Sequence, residues 1–162
     1  IEYAKKSDDH QILAGGEYDD GKGYFVQPTV VEASSPHSKL MVEEIFGPVL
    51  TVYKYDDSDL DNAVEACNTA SDYGLTGAIF ARDRGVITDL TARLRHAAGN
   101  FYINDKPTGS VVGQQPFGGG RASGTNDKAG SVLNLVRWVS PRSIKETFVP
   151  PTDFRYPHMG DE

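Results

Sequence analysis

The stretch YGLTGAIFARDRGVITDLTARLRHAAGNFYIN, residues 73–104, decides the fold. Residues 76–81 form a short apolar run, which is typical of a strand. Apolar residues then recur at the helical period over about 86–97, and Gly99 fits the C-terminal cap of that helix. A second strand is predicted over 100–104. A strand, a helix and a strand in this order predict an α/β fold with a largely parallel sheet.

The same alternation extends to both sides of this stretch. Further elements are predicted as strands at 12–14, 24–31, 49–55 and 138–148, and as helices at about 38–42, 59–70 and 129–136. Asp57 and Ser58 offer N-caps for the helix at 59–70. The loop from 105 to about 127 is longer than most connections and holds many glycines, so we expect it to be ordered and functional.

Composition excludes several classes of protein. The 162 residues predict one domain, and 38% hydrophobic with 24% charged residues is ordinary for a globular chain. A net charge of −7 without a basic tract disfavours nucleic-acid and membrane partners. The single cysteine, Cys67, and the lack of a signal peptide favour a reducing, intracellular compartment. The chain does not begin with methionine, which leaves open a mature form, an engineered version or a fragment.

The run QQPFGGGRASG, residues 114–124, is the densest glycine cluster. Its glycine spacing fails the Rossmann fingerprint, and Thr125 stands where a Walker A loop needs lysine. The run therefore predicts either a tight structural turn, which we favour, or a backbone that approaches a ligand closely.

Other candidates for chemistry also have simpler explanations. Cys67 lies on the apolar face of a predicted helix, so core packing is expected rather than nucleophilic chemistry. The four histidines show no metal-binding spacing, and Asp57, Asp59 and Asp61 begin an EF-hand pattern that the later residues do not complete. We therefore predict no metal site.

The segment Glu43-Glu44-Ile45-Phe46-Gly47-Pro48-Val49 places two carboxylates and an aromatic ring just before a strand. A carboxylate accepts hydrogen bonds from vicinal hydroxyls such as those of a ribose, and the ring could pack against a flat group. The alternative is a charged helix end packed on a loop.

This segment resembles a signature of the aldehyde dehydrogenase superfamily. Residues 73–80, 99–104 and 115–119 resemble other superfamily motifs in the same order. Residues 104–119 and 121–128 are similar to the branch that oxidises glutamate γ-semialdehyde.

The resemblance implies a particular part of the family enzyme. It identifies 1–136 as the C-terminal part of an aldehyde dehydrogenase-like catalytic domain, 137–149 as an oligomerisation strand that forms a homo-oligomer, and 150–162 as a tail. The family's dinucleotide-binding fold and nucleophilic cysteine precede these segments. Cys67 follows the Glu-Ile-Phe-Gly-Pro motif, so it does not match the nucleophile, and we expect no catalytic residue here.

The resemblance also implies a chemistry and site residues. A thiolate attacks the aldehyde, hydride passes to NAD, and water releases glutamate, as in proline degradation. Glu44 is expected to bind the nicotinamide-ribose hydroxyls, and Phe46 to pack near the nicotinamide. The amides of Gly109 and Ser110, with the Ser110 hydroxyl, are expected to hold the substrate carboxylate. Phe117 is expected to wall the aliphatic part of the substrate.

Two alternatives remain open. The chain could be a structural and oligomerising module without activity, or the enzyme could act on another semialdehyde such as that of succinate, although the loop over 108–117 disfavours the latter. The expected compartment is the cytoplasm if the source is bacterial, which we favour, and the mitochondrial matrix if it is eukaryotic.

Overall fold

The computed structural model describes residues 1–160 of the chain. Its helices are α1 (Glu2–Lys6), α2 (Lys39–Val42), α3 (Leu60–Thr69), α4 (Arg84–Arg93) and α5 (Val132–Leu135). Its strands are β1 (His10–Ala14), β2 (Tyr18–Asp19), β3 (Phe25–Val26), β4 (Thr29–Ala33), β5 (Val49–Tyr53), β6 (Tyr73–Gly74), β7 (Thr76–Ile79), β8 (Asn100–Ile103) and β9 (Gly120–Arg121). Short 3-10 turns lie at Asp57–Asp59, Val136–Trp138 and Pro157–Met159. No helix in this part of the chain has the length and apolar character that a membrane span requires.

One sheet is built on β4. Strand β1 pairs with it antiparallel, and β5 pairs with it parallel from Thr29 opposite Val49 to Ala33 opposite Tyr53. Alternate residues of β4 are buried, which matches the period of a strand with one face covered. This sheet carries the segment 43–48 at the entrance to β5.

A second unit is the predicted strand–helix–strand. Strands β7 and β8 pair parallel, and Val64 of α3, Ile79 of β7 and Leu94 after α4 form a buried cluster between them and the helices. Helix α4 starts at a capped end, because the Asp83 carboxylate accepts a hydrogen bond of 2.9 Å from the Val86 amide. Residues 105–119 leave the carboxyl end of β8 as a long loop.

The fold is mixed α/β, as predicted, but its described strands form four small sheets. The parallel pairs β4–β5 and β7–β8 belong to different sheets, and the pairs β2–β3 and β6–β9 are antiparallel. Hydrophobic periodicity indicates that a segment is a strand. Which other strand it pairs with depends on contacts between residues that are distant in the sequence. The expectation of one largely parallel sheet is therefore not met within residues 1–160.

Three local expectations need correction. Cys67 lies on the exposed side of α3, because Ala63, Val64 and Ala66 are the helix's buried residues. Gly99 does not cap α4, whose C-cap is Leu94. The N-cap residue of α3 is Asp59, and Asp57 and Ser58 instead form the preceding 3-10 turn.

The predicted strand over 138–148 has no strand partner in the described chain, where residues 139–149 are irregular. Pro141 has no amide hydrogen to donate to the hydrogen-bond ladder of a sheet. Pairing of 137–149 with another chain stays a prediction. Of the predicted tail over 150–162, residues 161 and 162 lie outside the described residues.

Candidate functional site

A cavity of about 410 Å³ opens in the loop that follows β8. Its lining comes from two short stretches and is uncharged: Thr108, Gly109, Ser110, Val112, Gly113, Gln115, Phe117, Ala129 and Gly130. The structure thus brings together the predicted substrate residues Gly109, Ser110 and Phe117.

The first wall of the cavity is a loop shaped by glycines. Gly109 and Gly113 have φ of +90° and +85°, a left-handed conformation that side chains rarely adopt. Ser110 Oγ donates a hydrogen bond of 3.0 Å to the Gln115 carbonyl, and the Gln114 amide donates one of 3.0 Å to the Val111 carbonyl. The loop is therefore ordered by its own hydrogen bonds.

Phe117 joins the two walls. Its amide donates to the Ala129 carbonyl at 2.9 Å, and the Ala129 amide donates back to the Phe117 carbonyl at 2.8 Å. Asn100 holds the peptides on either side, since its Nδ2 donates to the Pro116 carbonyl at 2.9 Å and its Oδ1 accepts from the Gly118 amide at 3.0 Å. The Phe117 backbone is thus fixed from both sides.

The glycine cluster packs backbone against backbone. A Cβ on Gly99 would overlap the Gly118 carbonyl and lie 2.9 Å from both Gly119 Cα and Gly120 N. The Gly74 amide also donates a hydrogen bond of 2.9 Å to Ser123 Oγ. Of the two interpretations of this run, the tight structural packing is therefore observed, and its first residues also support the cavity wall.

The predicted cofactor residues lie elsewhere. Glu44 and Phe46 are exposed in the segment between α2 and β5, and neither lines the cavity. The Phe46 ring is 93% exposed, and its backbone is left-handed at φ +58°. The structure therefore does not join these two residues to the substrate residues in one pocket.

Cys67 lies outside the cavity. Its residue surface is exposed on α3, while neighbouring atoms partly desolvate the thiol and raise its pKa, which lowers the fraction of thiolate. The described residues also hold no cluster of three His, Cys, Asp or Glu side chains that could bind a metal ion.

Sequence reasoning missed Asn100 and Lys128, whose side chains hydrogen-bond to backbone groups on either side of Phe117 or next to it. Lys128 Nζ donates to the Gly99 carbonyl at 2.5 Å and to the Gly118 carbonyl at 3.3 Å. The sequence holds a signal for Asn100, because a polar residue opens a strand that is otherwise apolar. In the structure Asn100 is 7% exposed, and a buried polar side chain of this kind is expected to be hydrogen-bonded. The sequence holds no such signal for Lys128, since a lysine in a polar loop usually faces solvent.

Comparison with known proteins places this geometry in a family. The model of the aldehyde dehydrogenase family matches residues 1–141. The mitochondrial delta-1-pyrroline-5-carboxylate dehydrogenase of Dictyostelium discoideum is 59% identical over 99% of the chain and 29% of its own length. The chain thus spans less than a third of the length of such relatives.

Solved structures agree with this match. The delta-pyrroline-5-carboxylate dehydrogenase of Mycobacterium tuberculosis superposes with a TM-score of 0.78 and is 55% identical over 98% of the chain and 29% of its own. A Thermus 1-pyrroline-5-carboxylate dehydrogenase with bound NAD has a TM-score of 0.67 and 42% identity over 80% of the chain and 24% of its own. The chain belongs to the aldehyde dehydrogenase family.

Proposed function

We propose that the chain is the C-terminal part of an NAD-dependent dehydrogenase that oxidises L-glutamate γ-semialdehyde to L-glutamate in proline degradation. The observation that carries the proposal is the cavity, which gathers Gly109, Ser110 and Phe117. The relatives named above, which are dehydrogenases of pyrroline-5-carboxylate, support the same substrate.

The cavity suits a molecule with an acidic end and an aliphatic body. The amides of Gly109 and Ser110 supply donors for a carboxylate, and the Ser110 hydroxyl adds a third donor when it turns from Gln115 to the ligand. Phe117 offers a partly exposed apolar ring beside these donors. This arrangement orients the substrate with its aldehyde end away from the loop.

NAD, when bound, supplies the hydride acceptor of the reaction. Glu44 and Phe46 fit a part of it, because an exposed carboxylate can accept from the ribose hydroxyls and an exposed ring can pack beside the nicotinamide. In this proposal the attacking thiolate comes from a preceding part of the enzyme, since the pKa of Cys67 is raised and its helix does not line the cavity.

The substitution Ser110→Ala in the complete enzyme tests the substrate assignment. Losing a hydrogen bond to a charged group costs about 1.5–3 kcal/mol, so KM for the semialdehyde should rise about tenfold or more. KM for NAD should stay unchanged, and exposed Ser58→Ala serves as the control. An unchanged semialdehyde KM together with weaker NAD binding would remove Ser110 from the substrate site.

The 162-residue chain alone is expected to show no aldehyde oxidation, because the proposal places the nucleophile outside it. Absorbance of NADH at saturating semialdehyde and NAD should stay at the enzyme-free rate, for the chain and for its Cys67→Ala variant alike. NADH formation that Cys67→Ala abolishes would overturn the assignment of the nucleophile.

A second role, oligomer formation, is favoured by the segment 137–149. Trp138, Ile144 and Phe148 are 79%, 75% and 89% exposed, an apolar set that association with another copy would cover. We propose that this segment pairs with a second copy as a strand.

The cellular compartment also stays a prediction, with the cytoplasm favoured for a bacterial source. The Dictyostelium relative is named as mitochondrial.

A further inference from the structure

We propose that Lys128 is a positioning residue that holds the two walls of the cavity together and favours an acidic substrate. The inference rests on the proposed function, because it concerns the ligand of that cavity. The two walls belong to separate stretches of chain, residues 108–117 and 129–130, and meet at the paired backbones of Phe117 and Ala129.

The Lys128 side chain ties this meeting point to the sheet. Its ammonium donates to the Gly99 carbonyl at 2.5 Å, to the Gly118 carbonyl at 3.3 Å and to Asn100 Oδ1 at 3.5 Å. Gly99 and Asn100 stand at the start of β8, whereas Gly118 follows Phe117 directly. One side chain thus joins the edge of the sheet to the wall that carries the aromatic ring.

The backbone of Lys128 shows how firmly this arrangement is held. Its φ is +57°, a left-handed conformation that residues other than glycine keep only where their surroundings enforce it. The next residue, Ala129, makes both hydrogen bonds to Phe117. Displacement of the ammonium would therefore move the second wall and loosen the Phe117 backbone together.

The charge of Lys128 gives the cavity a preference. All three acceptors of the ammonium are neutral oxygens, and no carboxylate of residues 1–160 lies within 4.0 Å of it. The lining itself is uncharged. A positive charge with no ion-pair partner in the described part of the chain, one residue from the cavity wall, favours an anionic ligand over a neutral one of equal length.

The test compares two substrates in the complete enzyme. For Lys128→Met we expect KM for glutamate γ-semialdehyde to rise about tenfold, because the anionic substrate loses its attraction to the ammonium, while KM for the neutral aldehyde pentanal changes much less. KM for NAD should stay unchanged. Lys128→Gln, which keeps a donor but no charge, should give an intermediate KM, and exposed Lys22→Met should behave as the wild type.

The outcomes separate this inference from the proposed function. An equal change for both aldehydes, or a fall in kcat alone, would assign Lys128 a purely structural role and overturn the inference. An unchanged KM in Lys128→Met beside a raised KM in Ser110→Ala would overturn it and leave the proposed function standing. If Lys128→Met does not fold, Lys128→Gln decides by the same comparison of substrates; if neither folds, Lys128 serves the fold as a whole and the inference fails.

Discussion

Two neighbouring stretches of this chain are built in opposite ways. Residues 99–130 are joined to one another and to β6 by a dense set of hydrogen bonds, in which Asn100 and Lys128 satisfy backbone groups on both sides of Phe117. Residues 137–149 form no strand within the described chain and leave large apolar side chains exposed. The first stretch pairs many of its backbone groups within the chain, whereas the second leaves large apolar side chains uncovered in the described residues.

The difference shows which parts of a binding site this chain forms from its own residues alone. The cavity is made of residues 108–117 and 129–130, which lie close together in the sequence and are held by hydrogen bonds from Asn100 and Lys128. The segment with Glu44 and Phe46 resembles 137–149 instead, because its apolar ring is exposed and makes no pocket with the cavity residues. On our proposal, both exposed segments contact parts of the enzyme or ligands beyond this chain.

The largest expected effect comes from a substitution that disrupts the packing of residues 99–130. Gly99→Val should lower the free energy of unfolding by about 3 kcal/mol, because its Cβ would overlap the Gly118 carbonyl and neither backbone can yield easily. Urea denaturation followed by circular dichroism measures the change. Gly47→Ala is the control, since its Cβ would lie 3.9 Å from Ile45 Cγ2, an ordinary contact distance, and its stability should stay within about 0.5 kcal/mol of the wild type. Equal stability of Gly99→Val and the wild type would show that the glycine packing is not as tight as described.

The next effect concerns the second stretch. Truncation before Arg137 should abolish self-association of the chain, because it removes the exposed apolar residues and the open strand edge we infer for 137–149. Light scattering over a concentration series should give at least the mass of a dimer for the intact chain and that of a monomer for the truncated one.

A shorter truncation provides the matched control. Removal of residues after Val149 deletes the tail but keeps 137–149, so association should persist. A monomer at all concentrations for the intact chain would contradict the proposed interface, and so would association that survives truncation before Arg137.

Much of the fold could be predicted because its main elements carry strong local patterns. Strand β7, helix α4 and strand β8 lie within a few residues of their predicted bounds, since their apolar period reflects burial against the core. The short strands β2, β6 and β9 were missed, because two residues carry no period. The division into separate sheets was missed because pairing partners are not encoded locally.

The site was predicted unevenly for a related reason. The resemblance pointed to Gly109, Ser110 and Phe117, and the structure does gather them in one cavity. Gly99 was misread as a helix cap because its role, close approach to another glycine stretch, appears only in three dimensions. Cys67 was assigned to the core, yet α3 turns a neighbouring face inward. Ala63, Ala66 and Cys67 are all small and weakly apolar, so they do not specify the buried face of this ten-residue helix well.

The smallest expected effect concerns the ion pair that joins the two stretches, Asp127 with Arg137, whose atoms lie 2.8 Å apart. The pKa of Asp127 is lowered first by the Thr125 hydroxyl and then by Arg137. A lowered pKa stabilises the fold above the carboxyl's ordinary range, and that contribution is lost as the pH falls through the folded-state pKa. Asp127→Asn should therefore lower Tm slightly at neutral pH, and the difference from the wild type should vanish once the pH falls below the folded-state pKa of Asp127, where neither side chain is charged. Asp153→Asn is the matched control: Arg155 lowers the pKa of Asp153 as well, but these two residues are only two positions apart, so their pair also forms in the unfolded chain and Tm should change little. A Tm difference for Asp127→Asn that persists unchanged into acid would show that the ion pair does not join the stretches as described.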